Sequence, residues 1–223
     1  MKLASPAWVN TLEWDSCHPA ELCLEDPDDY RKIVSDLTAQ EAGEDGELVF
    51  SQDGRICPLA KEGLLIRDLW SVDINQKKLL TGVLKRVTAT AQDEYYPEIA
   101  DIHSRIGDLL EHLTEDFMLP LEWDMPSDIQ PVLKAFGLRL EASEDPFERI
   151  VDYVRLCREY LRIHFLVLVG IRCFLSNEAF DSLCRDLAAA GISVLFVEPE
   201  CRILPENGTR LVIDRDRCEL GYP

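Results

Sequence analysis

The stretch Phe165–Pro199, FLVLVGIRCFLSNEAFDSLCRDLAAAGISVLFVEP, decides the fold. Its first five residues, Phe165-Leu166-Val167-Leu168-Val169, are a continuous aliphatic run of strand length, and Ser193-Val194-Leu195-Phe196-Val197 are a second. A strand covered by helices on both faces reads this way, because neither alternating set of side chains meets water. Between the runs Ala179, Phe180, Leu183 and Leu187 recur at helical spacing, with Ser176 as N-cap, Glu178 in the first turn and Gly191 as the stop. Strand, helix and strand with short links make a βαβ unit, hence a parallel sheet.

Working outward, Phe147, Ile150, Val151, Val154, Cys157 and Leu161 predict an amphipathic helix over Pro146 to Arg162. Near the start of the chain Ala20 to Leu24 reads as a strand, Asp26-Pro27-Asp28 as a turn and cap, and Tyr30 to Leu37 as a helix turning Ile33, Val34 and Leu37 inward. Glu41 to Glu47, with two glycines and four acids, reads as a flexible loop, and Leu48 to Phe50 and Leu64 to Leu69 as further strands. The middle changes character. Helical periods run through Leu79, Leu80, Val83, Leu84 and Val87, then through Ile99, Ile102, Ile106, Leu109, Leu110 and Leu113, with Pro97 separating two long helices. A third helix is predicted over Ser127 to Phe136, ended by Gly137. The expectation is an α/β head, residues 1–72 and 138–223, interrupted by a helical insertion, 73–137.

Composition narrows the function classes. The 223 residues carry 42 acidic and 23 basic side chains, a net charge of −19, which repels nucleic acid at long range and suits divalent cations. No apolar run approaches the roughly 18–20 residues of a membrane helix, and the opening residues do not read as a signal peptide, so a cytoplasmic protein without membrane contact is expected. The eight cysteines are scattered, with no Cys-x-x-Cys, and read mostly as small buried hydrophobes in a reducing compartment rather than as a zinc site.

There is no Gly-x-x-x-x-Gly-Lys-Ser/Thr and no Gly-x-Gly-x-x-Gly, which disfavours a nucleotide hydrolase or dinucleotide enzyme. His103 and His112, nine apart, fall on opposite faces of a helix and cannot share an ion, and Cys17-His18 lacks an orienting partner. Two charge patterns remain. Glu111, Glu115, Asp116, Glu122, Asp124 and Asp128 surround a helix end and a loop broken by Pro120 and Pro126, with Glu122 and Asp124 pointing the same way from an extended segment; such oxygens suit calcium, although the spacing is not that of an EF-hand and also fits solvated acids. Lys77, Lys78, Lys85 and Arg86 lie in Ile74 to Gln92, a window free of acids, and form a stripe able to track phosphates or simply a solvated helix face. Arg149, Arg155, Arg158 and Arg162 make a second, less pure cluster.

The runs Ala20–Ser35 (AELCLEDPDDYRKIVS), Leu64–Asn75 (LLIRDLWSVDIN), Leu119–Asp124 (LPLEWD) and Ile192–Pro199 (ISVLFVEP) resemble the type II-A CRISPR-associated spacer-acquisition accessory family, in the same order along nearly the whole chain. The resemblance implies a phosphate-loop-ATPase-like head without a working nucleotide site, and no catalysis. It also implies a ring-shaped homotetramer that binds calcium and holds ends of double-stranded DNA, independently of sequence, in a positively lined hole. Its members act beside the two-protein CRISPR integrase and the RNA-guided nuclease. Glu122 and Asp124 then fall in the acidic calcium loop, with Asp128 and Asp116 as weaker ligands, and Pro120 stands where another acid is expected. The rival expectation is a metal-dependent α/β phosphotransferase or hydrolase using Glu198, Glu25 and Asp26; a third is a module whose acidic surface binds a basic partner protein.

Overall fold

In the computed structural model, residues 1–222 are described except 116, 120, 127 and 204–206. In chain order the elements are β1 (Lys2–Ala4), β2 (Leu12–Glu13), β3 (Ala20–Leu24), α1 (Pro27–Glu41), β4 (Val49–Gln52), β5 (Arg55–Ile56), α2 (Leu59–Glu62), β6 (Gly63–Ile66), α3 (Lys77–Glu94), α4 (Tyr96–Thr114), α5 (Gln130–Ala135), α6 (Pro146–Leu161), β7 (Phe165–Val169), α7 (Asn177–Ala189), β8 (Ser193–Glu198), β9 (Thr209–Ile213) and β10 (Glu219–Tyr222). The chain divides into two compact units, Met1–Ile74 with Ala142–Pro223, and Asn75–Glu141.

The first unit is α/β. Its six-stranded sheet has the order β10-β9-β3-β8-β7-β6, parallel from β9 to β6 with β10 antiparallel at one edge. β7 and β8 pair with Leu166 opposite Val194 and Val169 opposite Val197, so the two apolar runs lie side by side. Alternation divides them between two cores. Val167, Val169, Leu195 and Val197 pack with Leu22 and Leu24 of β3 and Ile33 and Leu37 of α1; Leu166, Leu168, Val194 and Phe196 pack with Ile150 and Val154 of α6 and Phe180 and Leu187 of α7. Gly63 opens β6 against the Phe165 ring, where a Cβ would stand 2.6 Å from a ring carbon; no larger residue fits.

The helices of this unit start as their sequences direct. Asp26 accepts from the Asp28 and Asp29 amides, Asp145 from those of Phe147 and Glu148, and Ser176 from that of Ala179. Three details differ from the sequence reading. First, the segment after α1 is tied down: Asp36 accepts from the Glu47 amide at 2.8 Å and the Leu48 amide at 3.2 Å. Second, Val49–Gln52 joins a small antiparallel sheet, order β2-β1-β4-β5, and not the main one. Third, all eight cysteines are free but only Cys23, Cys57, Cys157 and Cys184 are buried.

The second unit is helical. α3 packs on α4 and α5 and buries Leu79, Leu84 and Thr88. Pro97 sits in the first turn of α4, where its missing N–H costs nothing, so the break falls at Tyr95. α5 is shorter than its pattern; Ser127, the expected start, lies outside the described residues. Asn75 closes the unit on itself, its side chain both donating to the Leu140 carbonyl and accepting from the Leu140 amide. Among the described residues no helix is long and apolar enough to cross a membrane.

Candidate nucleic-acid interface

α3 breaks the local rules that the head helices keep. Lys77 and Lys78 occupy its first turn, where the helix dipole favours acids, no acid stands beside them, and Gln76 makes no capping bond through its side chain. At about 100° per residue, Lys78 and Lys85 lie within roughly 20° of each other. Lys77, Lys78, Lys85 and Arg86 are all exposed, and none of the three lysines has a carboxylate partner among the described residues. An uncapped helix start carrying unpaired cations is destabilising locally, and such departures are retained where a ligand supplies the missing charge.

Three of the four arginines of the second basic cluster are used internally. On α6, Arg149 donates to the carbonyls of Ser143 and Glu144, Arg155 pairs with Asp152 at 3.5 Å, and Arg158 donates to the Ala190 carbonyl. Arg162 closes the helix in the left-handed region, φ 58°. Arg149, Arg155 and Arg158 thus hold the start of α6 and its packing on α7, while the Arg162 side chain is exposed.

The acidic segment is open. Glu122 and Asp124 are exposed in irregular chain, and Asp128 accepts from the Gln130 amide at 2.8 Å as the chain turns into α5. Asp116 lies outside the described residues. Among the described residues no three His, Cys, Asp or Glu side chains converge on one point. The donors are nevertheless all carboxylates, the hard oxygen ligands that calcium takes.

A third group was not seen as a cluster in the sequence. At the carboxyl ends of β7 and β8, Glu198 accepts from the Ile171 and Arg172 amides at 3.0 and 3.1 Å. The Arg172 side chain is 1% exposed, lies 3.4 Å over the Phe180 ring and donates to the Ile203 carbonyl at 2.6 Å, while its Nε and Nη1 have no hydrogen-bond partner among the described residues. Glu21, wholly buried on β3, pairs with Arg210 of β9 at 2.7 Å. Burial raises Glu21 against the pull of Arg210, and lowers Arg172 against the pull of Glu21 and Glu198. The available signal was a charged residue inside or just beyond each buried strand.

Burial pushes the Glu198 carboxyl from an ordinary 4.5 up to about 7, with the Glu21 charge adding to the rise and the Arg172 and Ile171 amides opposing it. A raised carboxyl stabilises the fold fully below its unfolded value, and that contribution is lost as pH climbs through the folded one. Relative to wild type, Glu198→Gln is therefore expected to gain about 3 kcal/mol of stability between pH 4.5 and 8, read by urea unfolding across that range. A constant difference would contradict it.

The turn from β3 into α1, where nucleotide-binding α/β folds place a phosphate, holds Glu25, Asp26, Asp28 and Asp29. Asp26 occupies the helix-start amides, and Asp29 pairs with Arg217 at 3.0 Å. Glu198 is buried on its own amides, so the metal set of the rival reading, Glu198 with Glu25 and Asp26, does not converge.

Comparison with known proteins gives two matches. The family model described as CRISPR-associated protein (Cas_Csn2) covers residues 40–217. A CRISPR-associated protein Csn2 from Streptococcus agalactiae is 24% identical over 207 residues, spanning 90% of this chain and 89% of the relative.

Proposed function

The chain belongs to the CRISPR-associated Csn2 family, and from that premise we propose that it is a non-catalytic, calcium-dependent, ring-forming binder of double-stranded DNA ends in spacer acquisition. The observation that carries the reading is the unpaired lysine stripe of α3 on a chain of net charge −19. Contacts from Lys77, Lys78, Lys85 and Arg86 go to phosphates, so recognition ignores sequence and is steeply salt-dependent. The head is then a phosphate-loop-ATPase-like fold whose nucleotide site is closed by the acids after β3.

Assembly is supported by α4. Its apolar residues follow a helical period, yet none is buried, and Ile102, Leu109 and Leu113 are 42, 56 and 60% exposed. Water-facing leucines at that spacing suit a second copy, and the state proposed is a homotetramer. The CRISPR integrase and the RNA-guided nuclease are its proposed partners, in the cytoplasm.

Calcium is assigned to Glu122, Asp124 and Asp128, with Asp116. These carboxylates bind the ion, which offsets the repulsion between an acidic protein and a polyanion. Chelation is expected to weaken binding of linear duplex DNA at least about 10-fold by gel shift, and Glu122→Gln with Asp124→Asn to reproduce that loss in calcium. Equal affinity with calcium and with chelator would remove the ion from the proposal. Native mass should give a tetramer; a monomer under all conditions would contradict the ring.

A further inference from the structure

α6 and α7 pack side by side on one face of the main sheet and leave between their outer flanks a groove of about 420 Å³ that no role above uses. One wall is α6 with its N-cap, where Asp145, Glu148, Asp152 and Arg155 recur at steps of three and four and share one stripe. The other is α7, where the exposed Ala179, Ser182 and Asp186 do the same. Val151 and Leu183 are buried at its apolar floor, with Phe147 half-buried beside them. From Asp145 to Arg155 the wall rises about 15 Å, nearly three turns of a helix laid alongside.

Four carboxylates stand against one arginine in this groove. Their local bonds occupy one oxygen each. Asp145 Oδ1 accepts from the Phe147 and Glu148 amides, Glu148 Oε2 from the Ser143 hydroxyl, and Asp152 Oδ1 from Arg155 at 3.5 Å. Their second oxygens stay open to a partner, and Asp186 pairs with no cation among the described residues. The acids are strung along the groove, and among the described residues no three converge on one point, so the arrangement does not suit a metal ion.

We propose that this groove docks a basic amphipathic helix of another protein, its apolar side chains on Phe147, Val151 and Leu183 and its lysines or arginines on Glu148, Asp152 and Asp186. Charge complementarity selects the occupant. A neutral or acidic helix would leave the carboxylates desolvated beside it, whereas basic side chains reach them while their methylene stems cover the floor. Ala179 and Ser182 are small enough for a helix axis to come close to α7. Neither DNA nor calcium takes part, so the groove and the α3 stripe stand or fall separately.

The test titrates the full-length protein, without DNA and in chelator, into a fluorescein-labelled helical leucine–lysine peptide of about 14 residues near 0.05 M salt, read by anisotropy. Saturable binding of one peptide per chain is expected, with none for the leucine–glutamate counterpart. Ser182→Trp fills the groove without changing charge and should weaken binding at least about 10-fold, as should Asp186→Lys. Both positions are exposed, so melting should shift by less than about 2 °C. Glu44→Lys makes the same charge change in the loop after α1 and should weaken binding less than about two-fold. No saturable binding, binding that survives Ser182→Trp and Asp186→Lys, or an equal loss with Glu44→Lys would overturn the proposal. A change of native mass in Ser182→Trp would overturn it too, by giving the groove to a second copy of the chain.

Discussion

Changing Lys78 and Lys85 together to glutamate is expected to weaken binding of linear duplex DNA at least about 100-fold near 0.1 M salt. The two residues stand about 10 Å apart along the axis of α3, on one stripe. Neither is engaged by a carboxylate among the described residues, so each is free to displace a counterion from a phosphate. Every lost phosphate contact lowers the slope of log affinity against log salt by about 0.9, and in a four-fold assembly the two positions supply up to about eight contacts. The variant should therefore bind weakly and with a flatter salt response. Lys2→Glu with Lys32→Glu is the control. These lysines are paired at 2.7 Å with Glu13 and Glu47, and reversal there makes the same change in net charge. It should alter affinity less than about three-fold, since screening leaves distant surface charge little influence. Equal effects of the two double variants would mean that overall charge, and not α3, governs binding.

Arg172→Leu is expected to cost about 3–5 kcal/mol, because it removes a buried positive charge that favours the ionised forms of Glu21 and Glu198, leaving Glu21 to its pair with Arg210 and Glu198 to backbone amides alone. The same change removes the guanidinium from the Phe180 face and its bond to the Ile203 carbonyl. By chemical denaturation the midpoint falls sharply, and by heating the loss is on the order of 10 °C for a chain of this size. Adding Glu198→Gln to Arg172→Leu should recover part of the loss, since a neutral amide no longer needs the missing charge. A loss below about 1 kcal/mol for the single variant would mean that the cluster is solvated and not a buried network.

Legibility in the sequence followed burial on both faces. Phe165–Val169 and Ser193–Val197 announced themselves because no polar residue interrupts them, and the capped helices around them because Asp145 and Ser176 stand at their starts. β1 and β2 did not, since strands of two and three residues carry no measurable alternation. β9 and β10 were missed although Leu211, Val212 and Ile213 are buried, because arginine and aspartate flank that short run. The loop after α1 looked flexible from its glycines; what holds it is Asp36, a full helix turn before the loop begins. At the candidate interface, the exposed basic stripe was readable from helical spacing. Whether its charges were paired was not, because α6 carries a similar stripe whose cations are spent on Ser143, Glu144, Asp152 and Ala190. Arg172 and Glu198 escaped as a pair because their meeting depends on β7 and β8 being neighbours.

The most direct test of the proposed function compares linear with covalently closed circular duplex DNA of the same sequence, in calcium and in chelator, over a salt series. A ring that threads onto ends binds the linear form in calcium, loses it in chelator and ignores the circle. Binding to neither form at low salt with calcium, or equal binding to both, would contradict it.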